Sequence, residues 1–198
     1  TVETFYVLSP SHWGLSSQAW SITDGTWLTA NGRVRSNIKK ARTIANTLGV
    51  PFEHPVFESE HGISTLMPYI ARYFPNATVV AMAYPGEPPL NQARAQILAD
   101  VIGSNFTQEG KERNFLLLSA DFAHHGNPEG TAEKDTRTRI FFNKPGPDTW
   151  IFAGCDNRPG MYVLAQLLVP ESRCAVVFHT DSWRLSGRDA HDITSYFF

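Results

Sequence analysis

The sequence predicts an α/β fold, a three-layer αβα sandwich around a mostly parallel or mixed sheet. Three observations predict it. Short β-rich runs alternate with segments whose apolar residues recur at helical spacing. One run, Asn114–Ser119, is continuously apolar, as strands in the middle of a sheet are. The 198 residues are 42% hydrophobic and 12% aromatic, enough to cover a sheet within a single domain spanning residues 1–198.

Taken in order, Thr4–Leu8 is a β-rich run stopped by Ser9-Pro10-Ser11. Gln18–Thr23 and Thr26–Thr29 read as a hairpin about Asp24-Gly25, a pair that supplies the positive φ angles of a tight turn. Ser36–Leu48 places Ile38, Ala41, Ile44, Ala45 and Leu48 on one helical face, ended by Gly49 and Pro51. A second helix is expected after Ser59, with Ile63, Leu66, Met67 and Ile70 on one face and a kink at Pro68. Ala77–Ala83 reads as a strand, Leu90–Ile102 as a helix and Asn114–Ser119 as the buried strand. Charges, Gly and Pro dominate Gly126–Thr149, which reads as a mobile excursion holding at most a short helix at Thr136–Phe142. Pro159–Leu168 follows as a helix, then Cys174–His179 and Asp192–Phe198 as strands.

Composition excludes several classes. Charged residues make up 18% of the chain, the net charge is −2 and the pI is near 6.4. That is not the basic footprint of a nucleic-acid binder. The longest apolar stretches, Phe115–Leu118 and Thr78–Ala83, are far short of the ~20 residues a membrane span needs. No signal-peptide pattern opens the chain, and Thr1 is expected to be a processed or shortened start. Cys155 and Cys174 do not form a disulfide framework, so reduced thiols and a cytoplasmic location are expected. Two glycosylation-type triplets, Asn76-Ala77-Thr78 and Asn105-Phe106-Thr107, leave secretion open.

The ionisable residues collect at strand and helix junctions. His12 follows the first strand, His61 opens a helix, and Asp121, His124 and His125 follow the buried strand. Cys155 and Asp156 precede the helix at Pro159, and His179 and Asp181 end a late strand. Loops beyond the carboxyl ends of α/β strands form the ligand crevice. Singly, each has a plainer role: His12 as a hydrogen-bonded loop residue, His61 as a helix-end contact, Asp121 as a turn former, Cys155 as a small buried hydrophobe. Jointly, imidazoles with a thiolate or carboxylate suit iron, copper or zinc, and a nearby histidine can move protons. Asp121, three residues before His124, is placed to orient that imidazole.

These segments, in this order, resemble the Memo-like proteins, which include AmmeMemoRadiSam system protein B. The matching pieces are Phe5-Tyr6-Val7-Leu8-Ser9-Pro10-Ser11-His12, Glu60-His61-Gly62-Ile63 through Leu66-Met67-Pro68-Tyr69, and Ser119-Ala120-Asp121-Phe122-Ala123-His124-His125-Gly126. Gly154-Cys155 with Arg158-Pro159 follows, and Ser195-Tyr196 matches more loosely. The family is similar in fold to class III extradiol ring-cleaving dioxygenases. The resemblance implies a non-haem iron or copper pocket on the sheet edge, with His12 and Cys155 as metal ligands. It implies His124 as the acid–base residue, with Asp121 and His61 in the same pocket. The family's Ala-Pro-His-type motif and the strand before it are absent, so the third ligand is left among His61, His124 and His179.

Three functions follow as expectations. The first is a metal-dependent oxidoreductase acting on a small-molecule substrate, with Fe(II) or copper as cofactor. The second is a non-catalytic Memo-like subunit with a degenerate site, meeting a protein partner or a second copy of itself. Trp13, Trp20, Trp27 and Trp183 serve as interface candidates there, and as core residues otherwise. The third, a Cys–His hydrolase pairing Cys155 or Cys174 with His124, has no nucleophile elbow to support it.

Overall fold

A computed structural model describes residues 2–84, 92–106 and 113–198. The chain divides into two compact units, Thr1–Ser119 and Ala120–Phe198. The first is an α/β sandwich on a mixed, mostly parallel sheet. Its strands are β1 (Thr4–Pro10), β2 (Ser21–Ile22), β3 (Thr26–Thr29), β4 (Gly32–Ser36), β5 (Thr78–Tyr84) and β6 (Asn114–Leu118). They lie in the order β3-β4-β5-β1-β6, with β2 antiparallel to the end of β5. Parallel pairing joins β1 to both β5 and β6, and β4 to β5.

Alternation along β1 and β5 builds two cores. Phe5, Val7, Val79, Ala81 and Ala83 face one way, onto α2 (His54–Ser59), α3 (His61–Ser64) and α4 (Met67–Tyr73). Val56, Phe57, Ile63, Met67 and Ile70 complete that layer. Tyr6, Leu8, Val80 and Met82 are buried on the opposite face. There α1 (Ile38–Leu48) contacts β5 and packs on α5 (Gln92–Gly103), which buries Ala95, Leu98, Ala99 and Ile102.

The second unit carries the antiparallel sheet β7-β9-β8, from β7 (Phe122–Gly126), β8 (His179–Asp181) and β9 (Ile193–Phe197). Helix α6 (Pro128–Asn143) packs against β7 and β9. Helices α7 (Arg158–Leu167) and α8 (Ser182–Ser186) complete the unit. No helix among the described residues is long and apolar enough to cross a membrane.

Several sequence expectations change. The hairpin is β3–β4, turning at Ala30-Asn31, while Asp24-Gly25 only connects β2 to β3. The amide Oδ1 of Asn37 caps α1 at Lys40, so Ser36 closes β4 rather than opening the helix. The helix expected after Ser59 is two short ones, and Pro68 sits in the first turn of α4, where its missing N–H costs nothing. The mobile excursion is instead the longest helix described: Asn127 accepts from the Gly130 amide and Pro128 opens α6. β6 ends the described sheet path rather than lying within it, and Phe115 is 48% exposed. Cys174–Phe178 is irregular, and the strand begins at His179. The expected start of α5 at Leu90 falls outside the described residues.

Two measurements check this packing. Leu98 is fully buried and Ile97 is 46% exposed on the same helix. Leu98→Ala should cost about 2–5 kcal/mol in urea unfolding and Ile97→Ala under about 1 kcal/mol. The second concerns Tyr84, whose hydroxyl is buried with no hydrogen-bond partner among the described residues. Burial pushes its phenol up to about 12, against the opposing pull of Arg94. Its contribution to stability is complete below about pH 10 and is lost as pH rises towards about 12, because the unfolded phenol ionises first. Tyr84→Phe should therefore flatten the stability–pH curve across that alkaline window.

Candidate functional site

The turn after β1 and the loop between α2 and α3 meet at one carboxylate. Glu60 is 1% exposed, and both of its oxygens are occupied. Oε1 lies 2.6 Å from His12 Nδ1 and accepts from the Gly62 amide at 3.0 Å, while Oε2 accepts the His12 amide at 2.9 Å. The first of these contacts fixes a tautomer. A carboxylate oxygen accepts here, so His12 Nδ1 is the ring nitrogen that donates, and in the neutral ring Nε2 carries the lone pair.

His61 stands beside this pair. Its ring centroid is 4.2 Å from that of His12, and its Nδ1 is 3.9 Å from Glu60 Oε1. Trp13 flanks it edge-on at 5.8 Å and is pinned by its indole N–H donating to the Ser59 carbonyl. One ligand atom from each of His12, Glu60 and His61 falls within 4.8 Å of the others. Gly62 makes the convergence feasible, because a Cβ there would lie 2.1 Å from Ser9 Oγ and 3.3 Å from His12 Cε1.

A second cluster lies within the second unit. His124 Nε2 is buried with no hydrogen-bond partner among the described residues. It sits 3.6 Å from Asp121 Oδ2 and 3.7 Å from Asp156 Oδ2. The two acids are fixed by reciprocal main-chain contacts: the Asp121 amide donates to Asp156 Oδ1, and the Asp156 amide to the Asp121 carbonyl. Strand β7 presents His124 on a bulge. Phe122 and Gly126 pair with Ser195 and Ile193, so three residues of β7 face one of β9. Ala123 and His125 take up that excess at φ of +44° and +54°. Burial raises the Tyr196 phenol, and the nearby charges of Asp121 and Asp181 add to the shift.

The structure thus brings His12 together with His61, and Asp121 together with His124. Cys155 belongs to the second unit, buried and bridged through its backbone to Phe122. His179, a candidate third ligand, is instead bonded to Asp135 at 2.8 Å. His54 bonds Thr23, a structural role. Of the tryptophans, Trp20 is core against Tyr84, whereas Trp13 is exposed. Burial pushes the Cys174 thiol up, the wrong direction for a nucleophile. Sequence reasoning missed Glu60 as a partner of His12, and took Asp156 only as a neighbour of Cys155. The one available signal was acidity next to His61 and Cys155.

Gly62→Ala should lower stability by about 1–3 kcal/mol, through the overlap with Ser9. Gly62→Ala combined with Ser9→Gly should recover part of that loss in urea unfolding; strict additivity would contradict the close approach.

Comparison with known proteins places these clusters in a family. Residues 1–140 match the family model described as Memo-like protein. A MEMO1 family protein of Caldivirga maquilingensis is 28% identical over 138 residues, 68% of this chain and 47% of that protein. One from Methanopyrus kandleri is 27% identical over 143 residues, 71% of this chain and 48% of that protein. One from Pyrobaculum aerophilum is 25% identical over 134 residues, 67% and 46%. The chain spans less than half the length of these relatives. The match takes in His12, Glu60, His61, Asp121 and His124 and runs as far as Ile140 on α6, with Asp156 beyond it. On these grounds the chain belongs to the Memo-like protein family.

Proposed function

We propose that this chain holds a non-haem transition metal, iron or copper, through His12 and His61, in service of a redox or dioxygenase-type reaction on a small-molecule substrate. The observation that supports it is the 2.6 Å contact between Glu60 Oε1 and His12 Nδ1. A carboxylate on one ring nitrogen orients the imidazole and raises the basicity of the other, the arrangement typical of metal-bound histidine. The donor set fits such an ion: two imidazoles beside one carboxylate suit iron or copper better than magnesium or calcium.

The bound ion would supply open coordination positions and a redox couple. The other roles fall to the chain's own side chains. Glu60 holds the His12 tautomer and the turn that carries it. His124, between two carboxylates, holds or releases a proton at Nε2, and Asp121 and Asp156 set the ring's orientation.

Anaerobic reconstitution with Fe(II) or copper, followed by elemental analysis, tests this. Wild-type protein should retain metal stoichiometrically and His12→Ala should not. Glu60→Gln should weaken retention about 10–100-fold, through loss of the orienting charge. A wild-type chain that takes up neither metal overturns the proposal and leaves the non-catalytic, partner-binding reading.

A further inference from the structure

The second unit contains a cavity of about 230 Å³ between the first turns of α6 and the β8–α8–β9 segment. All of that segment lies beyond the stretch matching the family. The volume is below the range of about 300–1,000 Å³ that holds drug-sized ligands, so a one-ring molecule is the appropriate scale.

Both acids around the cavity have their oxygens occupied. Asp181 is taken by Arg184, through an ion pair at 3.1 Å and the Arg184 amide at 2.7 Å. Asp135 accepts from Ser195 Oγ at 2.5 Å on one oxygen and meets His179 Nε2 at 2.8 Å on the other. The Arg139 guanidinium meets His179 Nδ1 at 3.3 Å. A guanidinium can only donate, so Nδ1 carries the lone pair and Nε2–H donates to Asp135. This chain of bonds occupies both oxygens of Asp135 and leaves the Arg139 guanidinium with no carboxylate in direct contact among the described residues. Among the described residues Arg139 has no ion-pair partner; it rests over the Phe197 ring at 5.2 Å, the ring on which His179 also stacks.

The rest of the wall is chemically mixed. Trp183 and Ile193 supply apolar surface, and Thr131, itself 5% exposed, has a hydroxyl with no hydrogen-bond partner among the described residues. We propose that this cavity binds a small monocarboxylate with an apolar or aromatic body. Arg139 receives the carboxylate, and Trp183 with Ile193 receives the body. A planar carboxylate matches one guanidinium fork in both shape and charge, whereas a phosphate dianion would need further donors that Asp135 and Asp181 already occupy.

Titration calorimetry of the full chain with sodium benzoate, sodium acetate and inorganic phosphate tests this. Benzoate should bind saturably, with Kd in the millimolar range or tighter. Arg139→Gln should weaken it at least about tenfold, and Arg139→Lys should weaken it less, since charge is kept and the fork is lost. Trp183→Ala should bring benzoate down towards acetate. His12→Ala should leave benzoate binding unchanged, which separates this site from the metal cluster. The proposal is overturned by benzoate binding that Arg139→Gln does not alter, by the absence of saturation up to about 20 mM, or by phosphate displacing benzoate.

Discussion

Glu60 is buried and bonded three times, twice to His12 and once to Gly62. A carboxylate removed from water costs several kcal/mol unless its lone pairs are filled, and here two of the three bonds that fill them fix His12 and the third caps α3 at Gly62. The turn after β1 cannot drift from the start of α3 without exposing that cost. His61, adjacent in sequence, is carried into register by the same cap. The first cluster is therefore a consequence of one desolvated group, with the sheet above it supplying the burial.

The second unit reaches a comparable result through the main chain. The bulge in β7 spends three residues where β9 spends one, and that excess turns His124 towards the two aspartates. The Asp121 amide holds one oxygen of Asp156 and the Asp156 amide holds the Asp121 carbonyl, so the Asp156 carboxylate is positioned independently of the imidazole. Both clusters thus follow one pattern: a histidine held against an acid that something else has already fixed.

Much of this was legible in the chain. The strand Thr4–Leu8, the helices α1 and α7 and the strand β9 follow from period and stop signals, because those signals are local. His12, His61, Asp121 and His124 stood out by residue type at element ends. The helix α6 did not, since its charged and Gly-rich start masks an Asn127 cap that only the folded geometry reveals. Glu60 escaped for the opposite reason. Its importance lies in burial, and an acidic residue in a run with Glu58 and Ser59 looks solvated until the turn at His12 closes over it. Asn114–Ser119 misled because an apolar run does not distinguish a central strand from one at the end of the described path.

The pairing of β1 sets the order of events on the ribosome. β1 precedes its two neighbours, β5 and β6, by most of the unit, and both pairings are parallel. Such contacts must bear the loop-closure entropy before any stabilisation is returned. During synthesis one edge of the apolar strand Phe5–Leu8 lacks its partner until β5 emerges, and the other until Asn114–Leu118 follows. Nascent chains of this unit are most vulnerable to aggregation in that interval, and a chaperone that covers the first strand would act there.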